Sequence, residues 1–381
     1  MTFVIFGIIA LMALIPSLYL RYVRIRPATW WGKALCWLPI ALMGLTLVLT
    51  AVFLHSATML HLFSASVFCL ILPLLIYTTV SAIGRGLSKR FPQAKKVCDG
   101  IGIGLAVVLS LSMLYGSLFG WRKVEVKHVD LYFEDLPEAF DGYRIAQLSD
   151  MHVGTYGADT RFVEEVIAKT NAEQADLIVF TGDLINIHAE EVEPFEHALA
   201  QLHAPDGVYA VLGNHDYCRY GINKPKAEQE AGVAALKASI SRVGWQLLTD
   251  EHVWIHRGKD SLALVGVGNI SRPPYPSDGN WRKALEGVPD SSFSILLSHN
   301  PEAWADTISQ QTSVDLTLSG HTHAAQIKIG SWSPAALMYE QWSGWYEHEG
   351  RQIYVSEGLG GTFAFRLGTK PQIVVITMHR K

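Results

Sequence analysis

Cysteine is scarce in this 381-residue chain, and its four thiols are poorly placed for cross-linking. Cys36, Cys69 and Cys98 fall in or beside long apolar runs, which leaves Cys218 alone in the remainder, so no disulfide can close within that part. The formal net charge is −4 and no basic stripe marks the polar part, which argues against a nucleic-acid partner. Internal repeats and low-complexity tracts are lacking as well, so neither a repeat array nor a disordered tract is expected.

Apolar residues are instead concentrated at the start of the chain. Four runs, at 2–20, 35–54, 62–84 and 101–120, each approach the roughly 20 residues with which a helix crosses the hydrocarbon. From Trp121 onward the sequence reads as a soluble globular domain, so a transmembrane domain of four helices is expected over 1–121 and a second domain over 122–381. A cleaved signal peptide would account for the first run alone, but three more follow and no small-residue cleavage pattern succeeds it. No Asp, Glu, Lys or Arg sits in the apolar centre of a run; such residues usually mark ion or proton pathways, so a tether is expected rather than a transport or sensing module.

Basic residues orient these spans. Arg21, Arg24, Arg26 and Lys33 follow the first run, and Arg85, Lys89, Arg90, Lys95 and Lys96 follow the third, whereas the connection "HSATMLH" has none. Under the positive-inside rule the basic connections are cytoplasmic, which puts the N-terminus and everything after Gly120 on the outer side, periplasmic or extracellular. Arg122, Lys123 and Lys127 pull weakly the other way. His55 and His61, at the outer turn, are expected to face water.

The second domain repeats one local pattern, a short β-branched run that ends on a residue able to bind a metal. "YRIAQLSDMH" ends in Asp150 and His152, "DLIVFTGD" in Asp183, "GVYAVLGNHD" in Asn214 and His215, "SILLSH" in His299, and "LTLSGHTH" in His321 and His323. Each triplet alone is a weak signal; five such strand ends rarely coincide. Between the first two, "DTRFVEEVIAKTNAEQ" reads as an amphipathic helix, with Phe162, Val163, Val166 and Ile167 on one face and Asp159 or Thr160 as the N-cap. Strand, helix, strand implies a parallel pair whose loops share one edge, where open α/β sheets bind ligands. Two divalent ions about 3.5–4 Å apart need a bridging carboxylate, neutral imidazoles and open positions for water and a phosphoryl oxygen. A carboxylate, amide and imidazole set without thiolates suits manganese, iron or zinc. Glycines before Asp183, Asn214 and His321 let the backbone turn where a side chain would block the approach.

In this order the blocks "SDMH", "TGD", "LGNHD", "LSHNP" and "SGHTH" resemble the calcineurin-like metallophosphoesterase family, whose motifs run D-x-H, G-D, G-N-H-[DE], a lone H and G-H-x-H, over residues 143–326. The resemblance implies an α/β fold, a four-layer α/β/β/α sandwich of two mixed sheets with helices outside, around a dinuclear centre. It implies one ion on Asp150, His152, Asp183 and His323, and a second on Asp183, as bridge, with Asn214, His299 and His321. His215 matches the histidine that donates a proton to the leaving group or holds the scissile phosphate, and a metal-bound hydroxide would attack phosphorus. The whole-chain organisation is similar to the membrane-associated branch, which includes exported phosphoesterases, transmembrane proteins with a metallophosphoesterase domain, and enzymes that cleave the pyrophosphate of UDP-diacylglucosamine.

Two departures stand out. Many relatives carry an aspartate three residues after the bridging one, to orient the catalytic histidine; this chain has Asn186, so His215 is expected to be a weaker acid or to use another partner such as Asp216. Where the membrane-associated branch often has two glycines after the last histidine, Ala324 and Ala325 are expected to narrow the site. Substrate contacts are sought at Arg366, in a glycine-rich segment, and at Tyr217 and Arg219, just after "GNHD". Trp332, Tyr339, Trp342, Trp345 and Tyr346 crowd one stretch, either as an aromatic lip at a lipid interface or as a hairpin covering a sheet edge.

The expected protein is thus a multi-pass membrane phosphohydrolase with two divalent ions (manganese, iron or zinc), the bilayer as partner, and a phosphorylated, lipid-linked or cell-envelope substrate. A cytoplasm-facing UDP-2,3-diacylglucosamine pyrophosphatase is one alternative and a non-hydrolytic metal-binding sensor is another, although all seven ligand positions and His215 are present.

Overall fold

The computed structural model describes residues 2–52, 57–220 and 224–381, so His55 lies outside the described residues. The chain divides into two compact units, Met1–Phe119 and Gly120–Lys381.

The first unit is helical: α1 (Thr2–Tyr19), α2 (Trp30–Val52), α3 (Ala57–Ser66), α4 (Leu72–Leu87) and α5 (Ala94–Leu118). Among the described residues three helical stretches are long and apolar enough to cross a membrane, Trp30–Thr50, His61–Leu87 and Ala94–Arg122. The run at 2–20 is helical over α1, but it is not among those three. His61 is half-buried. At one end of this unit Asp99 is buried and compensated by a polar cluster. Tyr19 Oη donates to Ser81 Oγ at 2.6 Å, Ser81 Oγ donates to Asp99, and Arg24 and Arg85 lie 3.4 and 3.8 Å from the same carboxylate. A buried charge without such partners would be costly.

The second unit is built on two six-stranded sheets. In chain order the strands are β1 (Glu125–Phe133), β2 (Tyr143–Leu148), β3 (Leu177–Phe180), β4 (Val208–Ala210), β5 (Gln246–Leu247), β6 (Glu251–Arg257), β7 (Asp260–Gly266), β8 (Ser294–Leu297), β9 (Leu316–Ser319), β10 (Gly344–His348), β11 (Arg351–Val355) and β12 (Gln372–Arg380). One sheet has the order β1-β12-β2-β3-β4-β5 and the other β10-β11-β9-β8-β7-β6. Both are mixed: β2 to β5 run parallel and β12 antiparallel to β2, while β7, β8, β9 and β11 run parallel between antiparallel edges.

Alternation along the strands divides the apolar side chains into three cores. Ile145, Leu177, Val179, Val374 and Ile376 of one sheet meet Leu262, Leu264, Ile295, Leu297, Leu316 and Leu318 of the other. On the outer face of the first sheet, Ala146, Leu148, Ile178 and Phe180 meet α6 (Arg161–Ala172) and α7 (Lys226–Arg242). The outer face of the second sheet is covered by Trp304 and Ile308 of a short π-helical turn. The helix expected between the first two strands is α6, with Phe162, Val163, Val166 and Ile167 all buried. Because β2, β3 and β4 run parallel, as do β8 and β9, the residues following them gather at one edge of each sheet.

Asp315, ahead of β9, illustrates what a partly buried carboxyl costs. Burial pushes it up to about 6 against an ordinary 3.8, with the Ser294 amide opposing the rise and Asp135 adding to it. A raised carboxyl contributes most stability below its unfolded value, and that contribution is lost as pH climbs through the folded one. Asp315→Asn, which keeps an acceptor for the Ser294 N–H at 2.7 Å, is expected to raise the Tm near neutral pH by about 2–4 °C and to change it little near pH 4. Thermal melts at the two pH values check this, and a variant no more stable than the parent at neutral pH contradicts it.

Candidate metal centre

Asp150 (φ 52°), His152 (49°), Asp183 (59°), His321 (73°) and His323 (50°) all hold left-handed backbone. For a non-glycine residue that costs on the order of 1–3 kcal/mol and persists only where the surroundings enforce it. The neighbouring glycines leave space for these turns: a Cβ at Gly213 would collide with the Asp183 carboxylate, and one at Gly320 with that of Asp150.

The turns bring together two groups of donor atoms that share one carboxylate. Donor atoms of Asp150, His152, Asp183 and His323 lie within 4.8 Å of one another, and so do those of Asp183, His299 and His321. Asp183 Oδ2 is 3.1 Å from His299 Nε2 and 3.6 Å from His152 Nε2, and Asp150 Oδ1 is 3.3 Å from His323 Nε2. His152 Nε2 faces His323 Nε2 at 3.4 Å, and His299 Nε2 faces His321 Nδ1 at 3.3 Å. The Nδ1 atoms of His152 and His299 point to the carbonyls of Ile185 (3.2 Å) and Thr181 (2.8 Å), which fixes the N–H there and turns the lone pair toward the cluster.

Electrostatics favour a cation here. Burial, then His215, holds His152 well below the usual imidazole range, and burial, then His299, lowers His321 to about 3. At His299 burial also opposes charge, yet the Asp183 and Asp150 carboxylates outweigh it and lift the group to about 9. The pocket therefore keeps His152 and His321 neutral, while the Asp183 and Asp150 carboxylates make the space beside His299 attract positive charge, a proton or a metal cation. Asn214, next to His215 in the chain, donates from Nδ2 to Tyr220 Oη at 2.8 Å, and its buried Oδ1 has no hydrogen-bond partner. An orphaned buried acceptor costs about 1–3 kcal/mol, a cost that a bound cation would relieve. Carboxylates, imidazoles and one amide, without a thiolate, fit two divalent ions.

His215 stands against this cluster. Its main-chain N–H donates to Asp183 Oδ1 at 2.8 Å, its ring meets His152 edge-on at 4.7 Å, and Tyr220 stacks on it at 4.1 Å. Its Nδ1 bonds the main-chain carbonyl of Asn186 at 2.6 Å. The Asn186 side chain instead donates to Thr155 Oγ1 at 2.9 Å, so a carbonyl holds the ring where an aspartate was missed in the sequence. Asp216 does not reach that imidazole; its carboxylate accepts the amides of Gly213, Asp183, Leu184 and Ile185 at 2.8–3.2 Å and shapes the turn that carries Asp183.

The residues expected from sequence to contact substrate are engaged with other partners. Arg366 is buried, with its guanidinium on the carbonyls of Glu357, Gly358, Gly360 and Lys370 at 2.8–3.2 Å, so its donors are spent on the glycine-rich loop behind Asp150 rather than on an anion. Arg219 forks onto Asp278 and lies over the Tyr217 ring at 4.7 Å, and Tyr217 Oη accepts the Asn269 amide at 3.4 Å. Of the aromatic stretch, Tyr339 reaches the site, its Oη 3.2 Å from His321 Nε2, while Trp345 and Tyr346 belong to the edge strand β10. Tyr220 was missed by the sequence reasoning, and its position five residues past His215 carried no motif to reveal it.

A sequence profile described as calcineurin-like phosphoesterase matches residues 143–325. A metallophosphoesterase of Bacillus subtilis is 34% identical over 254 residues, which cover 64% of this chain and 81% of that one. The chain belongs to the calcineurin-like metallophosphoesterase family. It is also 27% identical to a transmembrane protein with metallophosphoesterase domain from Danio rerio, over 91% of this chain and 81% of that one. A UDP-2,3-diacylglucosamine pyrophosphatase of Chlamydia trachomatis is 28% identical, over 74% and 98%. This metallophosphoesterase is therefore a metal-dependent phosphoesterase, and its apolar helices together with the transmembrane relative point to membrane association.

The alanines after His323 act on the backbone. Ala324 and Ala325 (φ 49° each) and Gln326 (57°) continue the left-handed turn begun at His323. Gln326 pins it, donating from Nε2 to the Phe365 carbonyl at 2.7 Å. Ala325 is exposed, so its methyl contributes little packing. Ala325→Gly relieves about 1–2 kcal/mol of left-handed strain against about 0.4–1 kcal/mol of added unfolded-state entropy. Its Tm is expected to equal or exceed the parent's; a loss of about 1 kcal/mol, as for the same change inside a helix, contradicts the strain.

Proposed function

We propose that this chain is a membrane-anchored phosphohydrolase in which four N-terminal helices hold an outward-facing domain that cleaves a phosphoester or pyrophosphate bond of a lipid-linked or cell-envelope substrate. The observation that carries the reading is the convergence of two donor groups on Asp183. Asp150, His152, Asp183 and His323 would hold one divalent ion, and Asp183, Asn214, His299 and His321 the other. When bound, such ions polarise phosphoryl oxygens and bring the pKa of water toward neutrality. Asp183 would be shared between them, and through the His215 amide it sets the place of the proton donor. His215, held by the Asn186 carbonyl and covered by Tyr220, presents its other ring nitrogen to the leaving oxygen. Basic connections at 21–33 and 85–96 support the outward orientation.

The Chlamydia relative supports a second reading, in which the substrate is UDP-2,3-diacylglucosamine and the domain faces the cytoplasm, where Arg122, Lys123 and Lys127 would also put it. Purified protein assayed with manganese on bis(p-nitrophenyl) phosphate and on that nucleotide tests both. Turnover of either is expected to vanish in Asp183→Asn and to fall by about a hundredfold or more in His215→Ala. An Asp183→Asn protein as active as the parent contradicts the shared carboxylate.

A further inference from the structure

The second unit buries its apolar side chains well except in one stretch. Among its described residues eight large hydrophobic side chains are exposed, and five of them, Ile329, Trp332, Leu337, Met338 and Trp345, fall within residues 329–345; Tyr132, Tyr220 and Tyr275 are the others. Leu337 and Met338, adjacent in sequence, are 79% and 72% exposed and Ile329 is 67% exposed, more than any other large hydrophobic of this unit. The stretch is ordered. Ile329 and Trp332 close a tight turn through paired main-chain bonds of 2.8 and 3.2 Å, Ser333 caps the turn Pro334–Leu337, and Ser333 Oγ donates to the Ala324 carbonyl at 2.6 Å. It is also continuous with the metal centre: Met338 precedes Tyr339, whose hydroxyl touches His321.

Apolar side chains exposed this way within one short stretch of a folded unit normally mark an interaction surface. Three occupants are conceivable: a soluble partner, a second copy, or lipid. Residues 119–124 alone connect α5 to β1, a length that spans at most about 25 Å. A bilayer crossed by α5 would therefore always lie within reach of this unit. Leu, Ile, Met and Trp, with no acidic side chain between 329 and 339, are also the composition that enters an interface.

We propose that residues 329–338 form a lip that dips into the bilayer surface beside the metal centre, so that the site meets its substrate at the lipid boundary. The inference rests on the membrane-anchored reading above. The aromatic residues that drew attention in the sequence are secondary here, since the deepest contacts fall to Ile329, Leu337 and Met338.

Depth-resolved spin labelling of the full chain tests the lip. The native cysteines are replaced, the protein is placed in nanodiscs of phosphatidylethanolamine and phosphatidylglycerol, and nitroxides are attached singly at Leu337→Cys, Met338→Cys, Val108→Cys on α5 and Lys259→Cys on the exposed turn between β6 and β7. Thermal melts show that each labelled chain is folded. Collisions with oxygen, relative to those with a water-soluble nickel chelate, are expected to be several-fold higher at Leu337, Met338 and Val108 than at Lys259. If Val108 reports lipid while Leu337 and Met338 match Lys259, the lip is overturned and the anchor stands. Labels at 337 and 338 shielded from both reagents would mean a protein surface covers them, which also overturns it. A chelate-accessible Val108 overturns the anchored reading and the lip together.

Discussion

The structure of the catalytic unit turns on one buried carboxylate. Asp183 sits almost wholly out of solvent, where an isolated carboxylate would be prohibitively costly. It is nonetheless held well below its ordinary pKa, because imidazoles of His299, His215 and His152 surround it and outweigh the burial that opposes charge. Those imidazoles come from the ends of strands in both sheets, so the two halves of the sandwich meet in a shared electrostatic requirement as well as in a shared apolar core.

Holding charges at that point requires a rigid backbone, and the chain supplies rigidity with other acidic and basic side chains that bond the main chain. Asp216 gathers the amides of the turn that carries Asp183, and Arg366 gathers the carbonyls of the loop behind Asp150. Glu191 does the same for the amides of Asn186, Ile187 and His188, the segment whose Asn186 carbonyl orients His215. None of these three side chains touches the donor atoms of the centre. They brace the segments next to the left-handed turns at Asp150 and Asp183, whose strain persists only where the surroundings enforce it.

Much of this was legible in the sequence because the candidate ligands lie just after β-branched runs, and a residue at a strand end has its position fixed by the sheet. The amphipathic helix α6 was readable for the same local reason, its apolar positions recurring at helical spacing. What escaped is what depends on distant partners. Arg366 reads as a plausible anion contact until its donors are seen to be spent on carbonyls six to nine residues back along the chain, and Asn186 acts through its main chain, which no side-chain identity reveals. Tyr220 contacts His215 and Asn214 only because the turn after Asn214 folds back on them, with no periodicity to announce it. The polar cluster about Asp99 escaped likewise, since its members come from three separate helices.

If Asp183 is the shared ligand, the two ions must be magnetically coupled. The direct test is to strip the purified chain with a chelator, reload it with manganese, count bound metal, and record its electron paramagnetic resonance spectrum beside that of Asp183→Asn. The account predicts two manganese ions per chain with a spin-coupled spectrum, and loss of the coupling in the variant. A parent that binds a single uncoupled ion, or a variant whose two ions remain coupled, would contradict it.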